Sequence, residues 1–136
     1  MSVAYTTSLD GGAPEHLHGF FEGWPSSPTP ERHLEIPRRS YRVVLARDAG
    51  SPAVIGFVNA LSDGVLAAFL PPLEVLPSHR RRGIGTELVR RILDELGGLY
   101  SVDVVCDHPL GPFYERFGMQ PLLGMALRRP DAAPGW

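Results

Sequence analysis

The chain has 136 residues, 43% of them hydrophobic and 21% charged, which is the balance of one globular domain with a buried core. Its formal net charge of −2 argues against a nucleic-acid partner held by a basic surface. It has no apolar run near the roughly 20 residues of a membrane span, no secretory leader pattern, and one cysteine, which excludes an internal disulfide. We therefore expect a cytoplasmic protein without a membrane partner and without a metal site.

The first forty residues predict a short strand followed by helices. Pro30 suits a first helical position, and Thr29 suits the cap before it. The predicted elements are a strand at 3–8 and helices at 13–22 and 30–39.

The middle of the chain alternates between strand patterns and turns. Strands are predicted at 41–47, 53–62 and 65–76. The last of these contains Pro71-Pro72, which a regular central ladder does not tolerate, because proline has no N–H to donate. We therefore expect a bulge or a splayed edge at the two prolines.

Residues 83–96 give the clearest helical pattern in the sequence. Apolar residues recur along one face at helical spacing, and oppositely charged residues stand four apart on the other face. Gly97-Gly98 supplies a stop. Further elements are predicted as a strand at 101–106, a short helix at 111–118 and a last strand at 125–129. This order predicts an α/β protein with a mixed sheet flanked by helices.

A basic loop leads into the helix at 83–96 and reads Arg80-Arg81-Arg82-Gly83-Ile84-Gly85-Thr86. A helix start carries unpaired N–H groups and partial positive charge, so it favours an anionic ligand. Glycines there allow a pyrophosphate to approach the backbone. The chain has no lysine for a Walker A loop, and Leu88 stands where a dinucleotide fingerprint needs its third glycine.

Three motifs in this order resemble the GNAT superfamily of acyl-CoA N-acyltransferases. The loop at 80–85 matches the pattern [QR]-x-x-G-x-[GA]. Upstream, Leu73-Glu74-Val75-Leu76-Pro77 matches L-x-V-x-P, and downstream 113–119 matches FYE-x-x-G-F/M. The resemblance is strong over 53–129 and weak before residue 40.

The resemblance implies a twisted, splayed mixed sheet in a single domain, with variable acceptor-side helices in 1–40, a cofactor-binding core in 41–129 and a tail in 130–136. It implies acetyl transfer from acetyl-CoA to a primary amine, a small molecule or a peptide, by direct attack in a ternary complex. A catalytically silent acyl-CoA-binding module, a longer acyl donor and a hydroxyl acceptor are the alternatives. The residues that it assigns to the cofactor are Leu73, Val75, Arg80, Arg81, Arg82, Gly83, Ile84, Gly85 and Thr86.

The resemblance also implies catalytic roles. Tyr114 matches the tyrosine that protonates the leaving thiolate, although a buried core tyrosine would have the same spelling. Glu74, on the face opposite to Leu73 and Val75, is a candidate for the base. Asp107 is a second candidate, as a base, an anchor for a cationic acceptor or a helix cap, and a chain of waters is a third.

The sequence defines the residues that would contact the amine acceptor less clearly than those of the cofactor site. Phe20, Phe21 and Trp24 lie where relatives form part of the acceptor wall, or else they pack a helix onto the sheet. Asp63 and Glu22 are candidates for the rim of the cleft. A C-terminal edge strand would favour a homodimer.

Overall fold

The computed structural model describes residues 2–21, 23–24, 27–71 and 73–129. The strands are β1 (Val3–Thr6), β2 (Arg42–Asp48), β3 (Val54–Ser62), β4 (Ala67–Leu70), β5 (Leu73–Val75) and β6 (Ser101–Val104). The helices are α1 (Pro30–Arg38), α2 (Ile84–Glu95) and α3 (Gly111–Glu115), and short 3-10 turns span Pro14–His16, Pro77–His79 and His108–Leu110.

The six strands form one mixed sheet in the order β1-β2-β3-β4-β6, with β5 also paired to β3. All neighbours are antiparallel except β4 and β6, which run parallel. The α2 helix connects the β5 region to β6 and covers one face of the sheet. This is the mixed, helix-flanked α/β architecture that the order of the sequence patterns predicts.

The predicted strand at 65–76 is two strands. Pairing with β3 occurs through Leu61 and Ser62 for β4, and through residues 56–58 for β5. The break between the two strands includes Pro71, which belongs to neither strand. Pro72 lies outside the described residues. On the other side, β6 follows β4 only as far as the pair Leu70 and Val104. The sheet therefore opens into a V beyond that pair. This confirms the splay that the resemblance implies and agrees with the bulge or splayed edge expected at the prolines.

Two hydrophobic clusters pack on the two faces of the sheet. The first lies under α2 and includes Leu88, Ile92 and Leu96, each almost fully buried against β2, β3 and β4. Burying a leucine or isoleucine side chain contributes about 1.5–3 kcal/mol, so this stripe anchors the helix firmly. The second cluster lies on the opposite face, where Leu34 of α1 and Phe21 of the chain before it pack on Phe57 of β3.

The predicted helix at 13–22 is wrong. Only the 3-10 turn Pro14–His16 forms, and the chain then turns through Gly19 and Phe21, whose φ angles are 86° and 60°. Positive φ cannot continue a right-handed helix, so the apolar spacing in this segment serves a loop that packs on the sheet. The predicted helix at 30–39 is present as α1, and its cap is confirmed because Thr29 Oγ1 accepts the N–H of Arg32 at 3.2 Å.

The predicted strand at 125–129 is absent. Residues 119–129 lie outside every helix and strand, and 120–129 are all exposed. A strand needs a partner edge as well as a sequence pattern, and the described part of this chain pairs no edge with these residues. None of the described helices has the length and apolar character needed to cross a bilayer.

Candidate active site

The short strand β5 has one free backbone edge. Leu76, just after β5, donates its N–H to Ile55 O at 2.8 Å, so its backbone groups and those of Glu74 point toward β3. Because this direction alternates along a strand, Leu73 and Val75 point theirs away from β3. No strand of the described chain pairs with that side of β5. The edge can therefore accept an extended ligand as a further strand.

The side chains of β5 divide between the two faces of the sheet. Leu73 and Val75 pack against the cluster under α2. Glu74 lies on the other face, opposite Phe57 in the ladder with β3. The structure thus places Glu74 on the same face as the loop before α1, as the alternation of the sequence predicts.

The basic loop has an unusual backbone. Arg81 has a φ of 64° and Gly83 a φ of 78°, both in the left-handed region. A side chain makes this conformation unfavourable by roughly 1–2 kcal/mol, so the fold imposes it on Arg81. Turns with left-handed residues gather successive N–H groups on one concave side, which is an arrangement that binds anions.

The helix α2 begins directly after this loop with unpaired donors. Its first intrahelical bond runs from Glu87 N–H to Gly83 O at 3.1 Å. The N–H groups of Ile84, Gly85 and Thr86 therefore have no intrahelical acceptor. The cap position is Gly83, which has no side chain to bind them. The donors and the partial positive charge of the helix start suit a phosphate or pyrophosphate.

Gly85 lies where β5, α2 and α3 meet. A β-carbon built on it would lie 3.9 Å from Val75 Cγ2 and 3.9 Å from Phe113 Cζ, which is ordinary van der Waals contact. The protein itself therefore leaves room for a β-carbon at this position. A glycine here is explained by the close approach of a ligand to the backbone and not by internal packing.

The arginines around the loop have different surroundings. Arg80 Nε donates to Val75 O at 3.1 Å, which ties the loop to the free edge of β5. Arg81 and Arg82 are exposed. A fourth arginine, Arg116 after α3, donates from Nη2 to Thr86 Oγ1 at 2.9 Å and so lies beside the start of α2.

Sequence reasoning missed Arg116 because it occupies a variable position of its motif. Its guanidinium lies over the ring of Phe113, 5.0 Å from the centroid, and that contact holds it toward the basic loop. The spacing of three residues from Phe113 on a helix was the signal that could have identified it.

Tyr114 is 8% exposed and lies on α3. Burial, and to a smaller degree the nearby Cys106 sulfur, raise the pKa of the Tyr114 hydroxyl above its usual value of 10.0. The phenol is therefore protonated throughout the physiological range. It makes no hydrogen bond to the described part of the chain, so the proton is not committed to a structural acceptor.

Glu74 is half-buried. Its Oε1 accepts the N–H of Phe21 at 3.1 Å, while its Oε2 is buried without a hydrogen-bond partner among the described residues. Burial raises the pKa of Glu74, and the Phe21 N–H and the charge of Arg80 lower it to a smaller degree. A buried carboxylate oxygen without a donor is costly, so this atom is suited to receive a proton or a cationic group.

Asp107 follows β6 and is exposed. Its backbone carbonyl accepts the N–H of Leu110 at 2.8 Å, but its side chain makes no capping hydrogen bond to the turn that follows. A role as a side-chain cap is therefore excluded. The roles of base and of anchor for a cationic acceptor remain predictions.

An aromatic cluster surrounds His33 on the same face as Glu74. The His33 ring lies 4.8 Å from those of Phe21 and Phe57 and 5.4 Å from that of Phe20. Phe21 is 4% exposed, whereas Trp24, stacked on its edge, is 54% exposed. Packing therefore accounts for Phe20 and Phe21, and Trp24 alone of the three predicted wall residues presents most of its surface to solvent.

His33 was not predicted as part of this region. Burial lowers its pKa from 6.5 to about 4, so the ring is neutral at physiological pH. Nothing in the spacing of the histidines indicates this, because Phe20 and Phe21, from the loop before α1, pack against the His33 ring.

The structure places Asp63 away from the V-shaped opening. It accepts the N–H groups of Val65 and Leu66 at 2.8 and 2.9 Å in the turn before β4, at the opposite end of β4 from β5. The prediction that it lines the cleft is therefore wrong. Glu22, the other predicted rim residue, lies outside the described residues.

Comparison with known proteins agrees with this geometry. The family model of the Acetyltransferase (GNAT) family matches residues 12–119. A comparison with curated protein sequences finds no significant relative.

Solved structures of acetyltransferases share the fold. One from Deinococcus radiodurans R1 has 53% identity and a TM-score of 0.91, covering 95% of this chain and 90% of its own. A GNAT family protein from Streptococcus pneumoniae has 25% identity and a TM-score of 0.71, with coverage of 94% and 97%. The glucosamine-6-phosphate N-acetyltransferase of Arabidopsis thaliana, at 14% identity and a TM-score of 0.70, shares the fold over 95% of this chain and 99% of its own.

The splayed sheet, the basic loop at a helix start and the family match lead to one class of protein. The chain belongs to the GNAT family of acetyltransferases and is an acyltransferase. Members of this family generally take their acyl group from acyl-CoA donors.

Proposed function

We propose that this protein transfers an acetyl group from acetyl-CoA to the primary amino group of a cationic acceptor. The observation that carries the proposal is the alignment of the free β5 edge with the unpaired N–H groups at the start of α2. An extended pantetheine amide chain and a pyrophosphate are the two chemical groups that such an arrangement suits.

The donor side fits the group it would bind. The exposed N–H of Val75 and the backbone of Leu73 would pair with amide groups of the donor. The first-turn N–H groups of α2, with Arg81, Arg82 and Arg116 around them, would bind its phosphates. When bound, acetyl-CoA supplies an acetyl group activated as a thioester.

Glu74 is the proposed base. An alkyl ammonium has a pKa near 10.4, so removing its proton at neutral pH costs roughly 4 kcal/mol. The unpaired Oε2 of Glu74 would take that proton, and the burial that raises the pKa of this carboxyl supports the role. The amine nitrogen then forms its bond to the acetyl carbon.

Tyr114 is the proposed acid. As the carbon–sulfur bond breaks, the sulfur leaves as a thiolate, and the Tyr114 hydroxyl donates its proton to it. The absence of a hydrogen-bond acceptor for this hydroxyl among the described residues supports the role, because the proton is available. Asp107 and a chain of waters are the alternatives for the base.

The acceptor is proposed to carry positive charge beyond the reacting amine. Glu74 and Asp107 would stabilise a cationic group, and the exposed face of Trp24 attracts one with about 0.5–2 kcal/mol. Phe20 and Phe21 support this surface from below. Free amino acids are disfavoured as acceptors because their carboxylate would approach these acidic groups.

The proposal is tested with a panel of polyamines, aryl-alkyl amines, lysine peptides and free amino acids, assayed with acetyl-CoA by release of free thiol from about pH 6 to 9. We expect acceptor-dependent thiol release that is fastest with dicationic amines. Binding of CoA without release by any acceptor would indicate a silent binding module. Preference for zwitterionic acceptors would contradict the acidic acceptor site, and faster release from a longer acyl-CoA would contradict acetyl transfer.

A further inference from the structure

Asn59 is a fully buried polar residue on the face of the sheet that carries Glu74. Its relative exposure is 0%, and it shares this face with Phe57, which is two residues away on β3 and opposite Glu74 in the ladder. The strand β3 bonds to β5 through residues 56–58 and to β4 through residues 61–62. Asn59 therefore lies opposite the break between β4 and β5, beside the proposed acceptor site.

A hydrogen bond with Ser40 fixes the orientation of the Asn59 amide. Ser40 Oγ donates its single hydrogen to Ile36 O at 2.8 Å, so toward Asn59 it can only accept. Asn59 must therefore present Nδ2 to Ser40, as it does at 2.8 Å. Because the two amide atoms diverge from one carbon, Oδ1 is directed away from Ser40.

The Asn59 Oδ1 atom is buried without a hydrogen-bond partner among the described residues. Its neighbours on the same face are Val43, across the ladder in β2, and Phe57 and Leu61, each two residues away on β3. None of these three side chains has a polar hydrogen to donate. A buried acceptor without a donor is costly, so a donor from outside this cluster is expected.

Glu74 Oε2 is also a buried oxygen without a donor among the described residues. The register places Glu74 diagonally across from Asn59, and diagonal neighbours on one face of a sheet lie roughly 7–8 Å apart. Side chains of this length can converge on one ligand atom between them. A water molecule has two hydrogens for the two oxygens but no charge to offset that of Glu74. A cation with several N–H groups supplies both.

We propose that Asn59 Oδ1 and Glu74 Oε2 together hold the reacting ammonium group of the acceptor, each accepting one of its N–H groups. The inference rests on the proposed function and adds to it a residue, Asn59, that binds the amine without taking its proton. When Glu74 takes a proton, the amine keeps an N–H for Asn59. The site therefore distinguishes ammonium groups that carry N–H donors from quaternary ones of equal charge.

Calorimetric titration with 1,5-diaminopentane, in the presence of CoA, tests the site directly. Asn59→Leu has nearly the same size but no oxygen, so the Kd of the diamine should rise about tenfold to a hundredfold, with the Kd for CoA unchanged. The bis(trimethylammonium) analogue of the diamine has the same charge but no N–H donor, and it should bind wild type and variant alike.

Val43→Ala is the matched control. It removes packing at the ladder partner of Asn59 but removes no acceptor, so it should lower Tm and leave the affinity for the diamine unchanged. The double variant Ser40→Ala with Asn59→Leu removes both partners of the Ser40 bond together. It is titrated in the same way, so the test does not depend on the folding of Asn59→Leu alone.

Three results would overturn the proposal. A diamine that binds Asn59→Leu as tightly as wild type would indicate that Asn59 Oδ1 holds a buried water only. Equal losses of affinity in Asn59→Leu and Val43→Ala would show that packing alone is responsible. A wild type that binds no diamine would show that the two oxygens do not form an ammonium site.

Steady-state rates separate this inference from the proposed function. In Asn59→Leu, the KM for the diamine should rise about tenfold to a hundredfold, more than kcat falls. Thiol release by the wild type, with an unchanged KM in Asn59→Leu, would overturn the role of Asn59 and leave acetyl transfer intact. Diamine binding that depends on Asn59, without thiol release by any acceptor, would support the ammonium site and contradict the transfer.

Discussion

Two loops on opposite sides of the sheet each force one non-glycine residue into the left-handed region. Arg81 lies in the basic loop before α2, and Phe21 lies in the loop before α1. Arg81 is exposed and its conformation belongs to a compact local turn. Phe21 is buried, and its N–H is held by Glu74, which is 53 residues away in the sequence. The proposed donor side is therefore organised by local chain geometry, and the proposed acceptor side by long-range contacts.

This comparison implies that changes on the donor side should act on binding or chemistry with the fold unchanged. Changes on the acceptor side should affect stability and activity together. The four experiments that follow test this difference.

The largest effect is expected for Tyr114→Phe. The ring is kept and the proton is lost, so kcat should fall roughly 10²- to 10⁴-fold, with CoA affinity and Tm almost unchanged. Tyr100→Phe, at an exposed tyrosine, is the matched control and should leave kcat unchanged. An unaltered kcat in Tyr114→Phe, with the chemical step shown to be rate-limiting, would return Tyr114 to a purely structural role.

Gly85→Val tests the proposed phosphate site. A β-carbon fits at this position without a clash, and valine is no worse than glycine in a helix, so Tm should stay within a few degrees. The side chain would occupy the path of the phosphates and raise the Kd for CoA by at least about a hundredfold. Gly98→Val, at the other end of the same helix, is the control.

Calorimetric titration with CoA measures both variants. Gly83 is less suitable for this test, because its φ of 78° would add backbone strain to any side chain. If Gly85→Val bound CoA normally, the assignment of the phosphates to the start of α2 would be wrong.

His33 provides the matching test on the acceptor side. Its pKa is lowered to about 4 in the folded protein, while the unfolded chain binds the proton near pH 6.5. Stability from this group is complete above pH 6.5 and is lost as the pH falls toward 4, by up to about 3 kcal/mol. His33→Phe should therefore flatten the decline of Tm between pH 7 and 4, whereas His18→Gln, at an exposed histidine, should not.

Thermal melting followed by circular dichroism between pH 7 and 4 measures the decline of Tm in the wild type and in both variants. An equal decline in wild type and His33→Phe would show that this ring does not control the acid stability of the acceptor side.

The smallest effect is expected for Glu74→Gln, since the amide keeps an oxygen for the Phe21 N–H. Losing the base should lower kcat/KM roughly tenfold to a hundredfold, most strongly at low pH, where less of the amine is deprotonated on its own. Asp107→Asn is the parallel variant. If Asp107→Asn shows this pH-dependent loss and Glu74→Gln does not, Asp107 is the base and the assignment of Glu74 is incorrect.

The sequence predicted those parts of the fold that depend on local order. The α2 helix, the basic loop and the strands β2, β3 and β6 follow from periodicity and from residues next to one another in the chain. A bulge or splayed edge was predicted at the two prolines because proline cannot donate to a ladder, although 65–76 was predicted as one strand. These features account for most of the donor side of the site.

The acceptor side could not be predicted in the same way. Leu17, Phe20 and Phe21 have the spacing of an amphipathic helix. Their packing on the sheet, which cannot be deduced from this spacing, makes the segment a loop. The burial of His33 and the position of Arg116 beside Thr86 likewise depend on chain segments that are distant in sequence. The strand pattern at 125–129 was recognised, but whether a pattern becomes a strand depends on an available edge.

The hydrogen bond from Phe21 N–H to Glu74 has a consequence for how the site responds to its own chemistry. The carboxylate of Glu74, which is proposed to take a proton from the substrate amine, also accepts the N–H of Phe21 in the left-handed turn of the loop before α1. A proton on Glu74 weakens the hydrogen bond from Phe21 N–H, so each proposed proton transfer would loosen the loop before α1, and re-ionisation would tighten it again. By thermodynamic linkage, whatever stabilises the ordered loop also favours the ionised carboxylate to the same extent. Ionisation of Glu74 and order of the loop before α1 are thus a single coupled equilibrium.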